Sequence, residues 1–318
     1  MIDSITVTNS EAQKEIKIEK GSFKFVLDSI DWDTPSVQVN DYRVPFQIGT
    51  LLTGMVVGTR QPSIIGYVVA DTTKINTLGK TWNEYFEEQR QEIDDNKQEL
   101  DKVFSIYQDV IIKAGDYYLK ARPSMPVKYA DEEEDNNEVL CKFSVSFTCF
   151  EPMFYKESKH VDLAATTNMF RFPLILTENT KDEYVVFGNN IKRKSMLVVN
   201  DGDIEVGCKI IIRANGGVVS SPKVYNVNTG DFIELQGTQL QDGDYITITT
   251  EVGEENVVWH IAKGGTDNSL IGWIQSGSKF LKIPRGESFY AYESSDEDSG
   301  ALELYIEYTE KFFNIRGM

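Results

Sequence analysis

The sequence predicts a mainly β protein in two parts, both antiparallel, with one long helix in the first part. Three observations predict it. Apolar and polar residues alternate in short runs, at Ile16 to Ile18, Phe23 to Leu27, Val110 to Ile112 and Lys142 to Phe147, the period of a strand with one buried face. Gly, Asn, Asp and Pro punctuate these runs. A single segment, Trp82 to Val103, contains neither Gly nor Pro and places apolar residues mainly at helical spacing.

The elements follow in order. Phe25 to Ala70 reads as strands that lead into the helix. Thr81 is the expected N-cap, and Glu84 three positions on completes a capping box. Trp82, Tyr85, Phe86, Ile93, Leu100 and Val103 supply the helix's apolar positions. The rest of its surface is polar, which predicts a helix lying outside a sheet with one narrow buried stripe. Cys149 to Phe154 closes an alternating strand, and the weakly patterned stretch after it reads as a connector. The expected domains are 1–160 and 161–318. In the second, Asn200-Asp201-Gly202-Asp203, Asn228-Thr229-Gly230-Asp231 and Gln241-Asp242-Gly243-Asp244 read as tight turns between strands. Short strands at close spacing imply an antiparallel sandwich or jelly roll. Asp131 to Glu138 and Ser294 to Gly300 read as acidic mobile loops.

The 318 residues suit two domains. Net charge is −18, and it divides evenly: 18 basic against 27 acidic residues in 1–160, and 14 against 23 in 161–318. Neither half has the clustered Lys and Arg that grip phosphates, so specific nucleic-acid binding is not expected. An acidic wall repels DNA, which suits a conduit; negative charge also simply favours solubility. The three cysteines, Cys141, Cys149 and Cys208, read as buried free thiols and not as a disulfide framework. MIDSITVTNS lacks the features of a secretory signal, and no apolar run approaches membrane-span length. The expectation is a protein made in the cytoplasm that does not insert into membranes.

Motifs that resemble chemical sites fall short of them. Gly79-Lys80-Thr81 opens the helix, but a phosphate-binding loop also needs a glycine at the position of Lys74. Ser220 to Lys223 matches Ser-x-x-Lys in letters, yet a proline interrupts it between strands. His160 and His260 lie far apart, without ligand-spaced neighbours, so no zinc site is expected. The Asp-Gly-Asp turns offer acidic pairs only, short of a calcium loop. No catalytic, cofactor-binding or metal residues are assigned, and no cofactor. Trp259, Trp273, Tyr290 and Tyr292 give the second part an aromatic content compatible with sugar binding or, equally, with a sandwich core.

The order of certain motifs resembles the distal tail protein family of long, flexible-tailed bacteriophages. The motifs are Ile30-Asp31-Trp32-Asp33-Thr34-Pro35-Ser36 through Pro45-Phe46-Gln47-Ile48-Gly49, then Gly58-Thr59-Arg60, then Ile64-Ile65-Gly66-Tyr67 before the helix. Phe147 to Phe154 followed by Phe172-Pro173-Leu174 continues the series, and the Asn200, Glu205-Val206-Gly207, Pro222, Thr229 and Gly243 segments extend it. The resemblance implies a β-sandwich-like first domain with one helix, about 82–103, that closes into a six-fold ring around a DNA channel. It implies a galectin-like jelly-roll second domain that docks receptor-binding or adhesion proteins, and a last strand, Leu302 to Tyr308, that can return to the first domain. Implied neighbours are copies of itself, the tail tube protein and a tail-associated hub or lysin protein, at the virion tail tip. DNA passes through without being specifically bound. The family brings no catalytic residues. The second domain lacks a His-x-Asn-x-Arg sugar signature. The rival readings are a carbohydrate-binding module that attaches to the bacterial wall, and a hydrolase with a carboxylate pair in a cleft.

Overall fold

The computed structural model describes residues 2–43, 48–71, 80–132, 136–137, 139–162, 164–168, 188–192, 195–251, 253–260, 267–295 and 301–315. Of the segments singled out above, Pro45 to Gln47, Lys74 to Gly79, Phe172 to Leu174 and parts of both acidic loops lie outside the described residues. The protein is mainly β, with one α-helix among the described residues. Two compact units divide the chain: Met1–Lys156 with Phe312–Met318, and Glu157–Lys311.

The first unit contains strands β1 (Ser4–Asn9), β2 (Lys14–Glu19), β3 (Phe25–Asp31), β4 (Val37–Tyr42), β5 (Leu51–Val57) and β6 (Ser63–Val69), then helix α1 (Trp82–Val103). It continues with β7 (Val110–Ala114), β8 (Tyr117–Pro123), β9 (Lys128–Tyr129), β10 (Leu140–Thr148) and β11 (Phe154–Tyr155). The main sheet runs β2-β1-β7-β8-β10-β6-β3. Alternation along its strands sends Ile5, Val7, Ile64, Val68, Ile112, Leu119, Phe143, Val145 and Phe147 to one buried face.

Thr81 caps α1 as expected: its Oγ1 accepts from Glu84 N at 3.4 Å, and Glu84 Oε2 accepts from Thr81 N at 2.8 Å. The buried stripe is Gln89, Ile93, Asn96, Leu100 and Val103. This corrects the expected stripe at its start. Trp82 and Phe86 are exposed and cluster with Tyr85, with ring centroids 5.8–6.3 Å apart. Two amides, Gln89 and Asn96, stand in the buried stripe instead, and Asn96 Nδ2 donates to Val69 O at 3.3 Å.

The second unit contains β12 (Lys159–Asp162), β13 (Ala164–Asn168), β14 (Gly188–Lys192), β15 (Ser195–Asn200), β16 (Lys209–Ala214), β17 (Val219–Ser220), β18 (Lys223–Asn226) and β19 (Phe232–Glu234). It continues with β20 (Gln239–Leu240), β21 (Tyr245–Thr249), β22 (Asn256–His260), β23 (Asn268–Ser269), β24 (Gly286–Glu293) and β25 (Leu302–Tyr308); β26 (Lys311–Phe312) follows at the unit boundary. One sheet runs β12-β25-β16-β21-β22-β23 and another β15-β24-β18-β19. Both give residues to one core, among them Ile210, Ile212, Ile246, Leu304 and Ile306 from the first and Val198, Val224, Ile233 and Tyr290 from the second. Two antiparallel sheets over a shared apolar layer make a β-sandwich.

Of the three predicted tight turns, only Asn228–Asp231 joins paired strands, β18 and β19. Gly230 takes φ +75° there, and Asn226 Oδ1 accepts from the Asn228 and Thr229 amides. The Asn200 turn leaves β15 for β16 in the other sheet, and the Gln241 turn links β20 to β21, which do not pair. Turn chemistry marks where the chain reverses, not which strand it then joins.

Strand β25 lies between β12 and β16 in the second unit. The residues that belong to the first unit begin at Phe312, whose ring is buried in that unit's core beside Tyr117 at 5.4 Å.

Candidate interaction surfaces

Strands β4 and β5 pair only with each other among the described residues. Their register places Val37 opposite Val57 and Val39 opposite Met55. Directly paired residues share a face, so these four side chains make one apolar face. Val39 is 57% and Met55 61% exposed, and Leu51, Leu52, Val56 and Tyr42 are exposed as well. At about 3.4 Å per residue the hairpin is an arm roughly 20 Å long. Burying a side chain of this type is worth about 1.5–3 kcal/mol, and the arm leaves several unburied.

The arm has a rigid root. Gly58 N donates to Ser36 O at 2.7 Å, tying the two strands where they leave the unit. A Cβ on Gly58 would meet Ser36 Oγ at 2.5 Å, which a turn of that side chain relieves, and Ser36 O at 3.3 Å, so the two strands approach closely here. Asp33 takes φ +53°, and its Oδ2 accepts from Gln61 N at 2.8 Å. Arg60 is buried. Its Nε donates to Pro152 O at 3.0 Å, one terminal nitrogen to Trp32 O at 3.4 Å and the other to Phe313 O at 2.5 Å. The guanidinium also lies 4.4 Å from the Phe154 ring centroid, and Trp32 meets that ring edge-on at 5.3 Å. The backbone of Arg60 exchanges hydrogen bonds with Cys149 at 3.2 and 2.8 Å. A planar donor fork reaches three carbonyls where a lysine reaches fewer. The Asp31-Trp32-Asp33, Gly58-Thr59-Arg60 and Cys149 to Phe154 segments, distant in sequence, therefore meet at one place: the base of the arm.

The remaining motif residues have structural roles. Thr81 caps the helix, and Gly79 lies outside the described residues. Ser220, the serine of the Ser-x-x-Lys match, lies in β17 opposite Gln239, and Lys223 pairs with Glu293 at 3.5 Å, so both residues have structural roles. Asp242 Oδ1 accepts from Gly216 N at 2.7 Å and Asp231 pairs with Lys279 at 2.6 Å; these carboxylates hold loops. Among the described residues no group of three His, Cys, Asp or Glu is placed to hold a metal. All three cysteines are free and buried, and burial pushes Cys149 and Cys208 each up to about 12. No described helix is long and apolar enough to cross a membrane. Of the four aromatics singled out, Tyr290 is core, its hydroxyl donating to Lys282 O at 2.7 Å; Tyr292 packs against that core, Trp273 is exposed, and the Trp259 side chain lies outside the described residues. Tyr290, in the core, and Trp273, exposed, do not share one platform. His160 and His260 stand on the outward side of the six-stranded sheet, each against a tyrosine.

No family model matches the chain, and no curated protein matches it. Among solved structures it is similar to the SPP1 Dit (gp 19.1) protein, described as a paradigm of the hub adsorption apparatus in phages infecting Gram-positive bacteria. The TM-score is 0.59 at 12% identity, over 97% of this chain and 99% of that one. The two proteins share a fold. The chain is also similar to a component of the phage P2 baseplate in its activated conformation with Ca, with TM-score 0.43 and 12% identity over 96% and 98% of the two chains. The fold likeness to SPP1 Dit spans both units and includes the helix-bearing first unit that projects the arm.

Proposed function

We propose that this protein is a non-enzymatic structural subunit of a phage, prophage or tail-like particle. It forms a hexameric hub ring at the distal end of the tail tube, with a channel for DNA and an outer platform for receptor-binding or adhesion proteins. The tail tube protein and a tail-associated hub protein are its axial neighbours. The observation that carries this reading is an apolar two-stranded arm on a rigid root, in a chain whose fold corresponds end to end with SPP1 Dit. A closed ring needs each copy to offer one surface and accept another. The arm supplies strands with open edges and an apolar face to offer, the kind of edge that a soluble monomer ordinarily blunts. The acidic balance of both halves suits a channel through which DNA slides.

Negative-stain microscopy with light scattering tests the proposal. Closed six-fold rings with a central hole and a mass six times that of the chain are expected. A monomer at every concentration, alone and when mixed with the tail tube protein, overturns it.

A further inference from the structure

The outward face of the six-stranded sheet in the second unit holds the densest set of recognition groups outside the arm. Alternation fixes which residues stand there. Ile210, Ile212, Ile246, Ile248, Leu304 and Ile306 point into the core. Their neighbours Arg213, Tyr245, Glu303 and Tyr305 therefore point out. The register sets Arg213 directly between Glu303 on β25 and Tyr245 on β21. Two stacked pairs flank it. Tyr245 stacks on His260 with centroids 4.4 Å apart and planes 16° from parallel; Tyr305 stacks on His160 at 5.7 Å and 23°. Each pair is held by carboxylates: His260 Nδ1 bonds Asp267 at 2.9 Å, His160 Nε2 bonds Asp162 at 2.6 Å, and the Tyr305 hydroxyl donates to Glu303 at 2.8 Å. The Arg213 side chain is exposed, and its charge acts on the Tyr305 hydroxyl.

We infer that this face is a saccharide-binding surface and that its ligand is a neutral sugar chain. An exposed guanidinium offers donors in a fixed planar fork, and the braced carboxylates beside it offer acceptors. Vicinal sugar hydroxyls, each both donor and acceptor, match such a mixed set. The aromatic pairs supply apolar ground for the C–H faces of the sugar. Strands β21 and β25 lie two strand spacings apart, and Tyr245 and Tyr305 are offset by two residues along them, so they are separated by about 12 Å, enough for more than one sugar ring. Charge excludes the anionic alternative: Asp162, Glu303, Glu307 and Asp267 outnumber Arg213 and Lys209 on the same face, so a phosphodiester or uronic acid polymer meets repulsion. The test reads binding by the full chain and does not depend on ring assembly.

The test uses the full chain on an array of neutral and anionic bacterial oligosaccharides, followed by calorimetry with the best neutral tetrasaccharide. Binding with a Kd on the order of 0.1–1 mM is expected, weakened tenfold or more by Arg213→Gln and by Tyr245→Ala. Tyr305→Phe, which keeps the ring and removes only the hydroxyl, is expected to weaken it less, and Lys102→Ala in the other unit not at all. Thermal unfolding of each variant checks that the fold is retained. Failure of every neutral probe to bind at millimolar concentration overturns the inference. So does binding that Arg213→Gln leaves unchanged, or binding confined to anionic polymers.

Discussion

Strands β5 and β6 read almost alike and meet opposite fates. LLTGMVV and SIIGYVV have the same length, a central glycine and a Val-Val end. In β6 every second residue is buried, because Ile64 and Val68 face the core of the unit. In β5 no residue is buried. Their glycines differ in the same way. A Cβ on Gly66 would meet Val26 O at 2.5 Å and the Phe143 ring at 2.9 Å; a Cβ on Gly54 would find only the Asn40 side chain, at 3.9 Å. An apolar strand thus records that a surface is to be covered, without saying by what. For β6 the cover is this chain. For β5 we propose a second copy of it.

The largest expected effect breaks that comparison on the arm side. Met55→Asp puts a charge on the face shared with Val37, Val39 and Val57. Ring assembly is expected to be lost, as read by light scattering, while the unfolding midpoint of the monomer moves by no more than about 0.5 kcal/mol in stability. A large loss of stability instead would mean that the arm packs on its own chain.

Next comes the root. Arg60→Met removes three buried donors and leaves the carbonyls of Trp32, Pro152 and Phe313 without them. Each stranded acceptor costs about 1–3 kcal/mol, reduced where water enters, so urea unfolding is expected to show a loss of about 3–5 kcal/mol. Arg60→Lys recovers only part, because an ammonium cannot span three carbonyls in one plane. A loss below about 1 kcal/mol would show that the root does not depend on the guanidinium.

The paired glycines sharpen the comparison at smaller scale. Gly66→Ala forces its methyl against backbone and is expected to cost about 1–3 kcal/mol. Gly54→Ala meets open space and is expected within about 0.5 kcal/mol of the parent. Equal effects at the two positions would mean that β5 is as enclosed as β6. This contrast also marks what the sequence made legible. Strand periodicity, the Thr81 and Glu84 cap and the helix at 82–103 depend on neighbours a few residues away, and they were readable. The motif order that resembles the phage family was readable too, but not its reason: Asp33, Arg60, Phe154 and Phe313 meet only after long-range pairing. The face around Arg213 was hidden for the same cause, since Tyr245 and Glu303 reach it from strands far apart in the chain. The aromatics that did draw attention, Trp273 and Tyr290 among them, divide between surface and core, because side-chain type alone does not fix the face.

The smallest expected effect lies wholly on the buried side. Burial penalises the thiolate of Cys149, beside the Arg60 backbone, and of Cys208 in the second unit, and pushes each up to about 12. An unfolded thiol titrates near 8.5. The folded state therefore keeps a proton that the unfolded state gives up. Stability is complete below about pH 8.5 and declines as pH rises toward 12. By pH 9 each thiol is expected to have removed about 1 kcal/mol, and Tyr290, also raised by burial, adds to the decline at higher pH. Urea unfolding at pH 8, 9 and 10 reads the slope. Cys149→Ala is expected to flatten it relative to the parent, whereas Met55→Asp, on the exposed arm, leaves it unchanged. A slope that Cys149→Ala does not alter would show that this thiol already meets water in the folded state, and the base of the arm would then be open where the Arg60 hydrogen bonds require it closed.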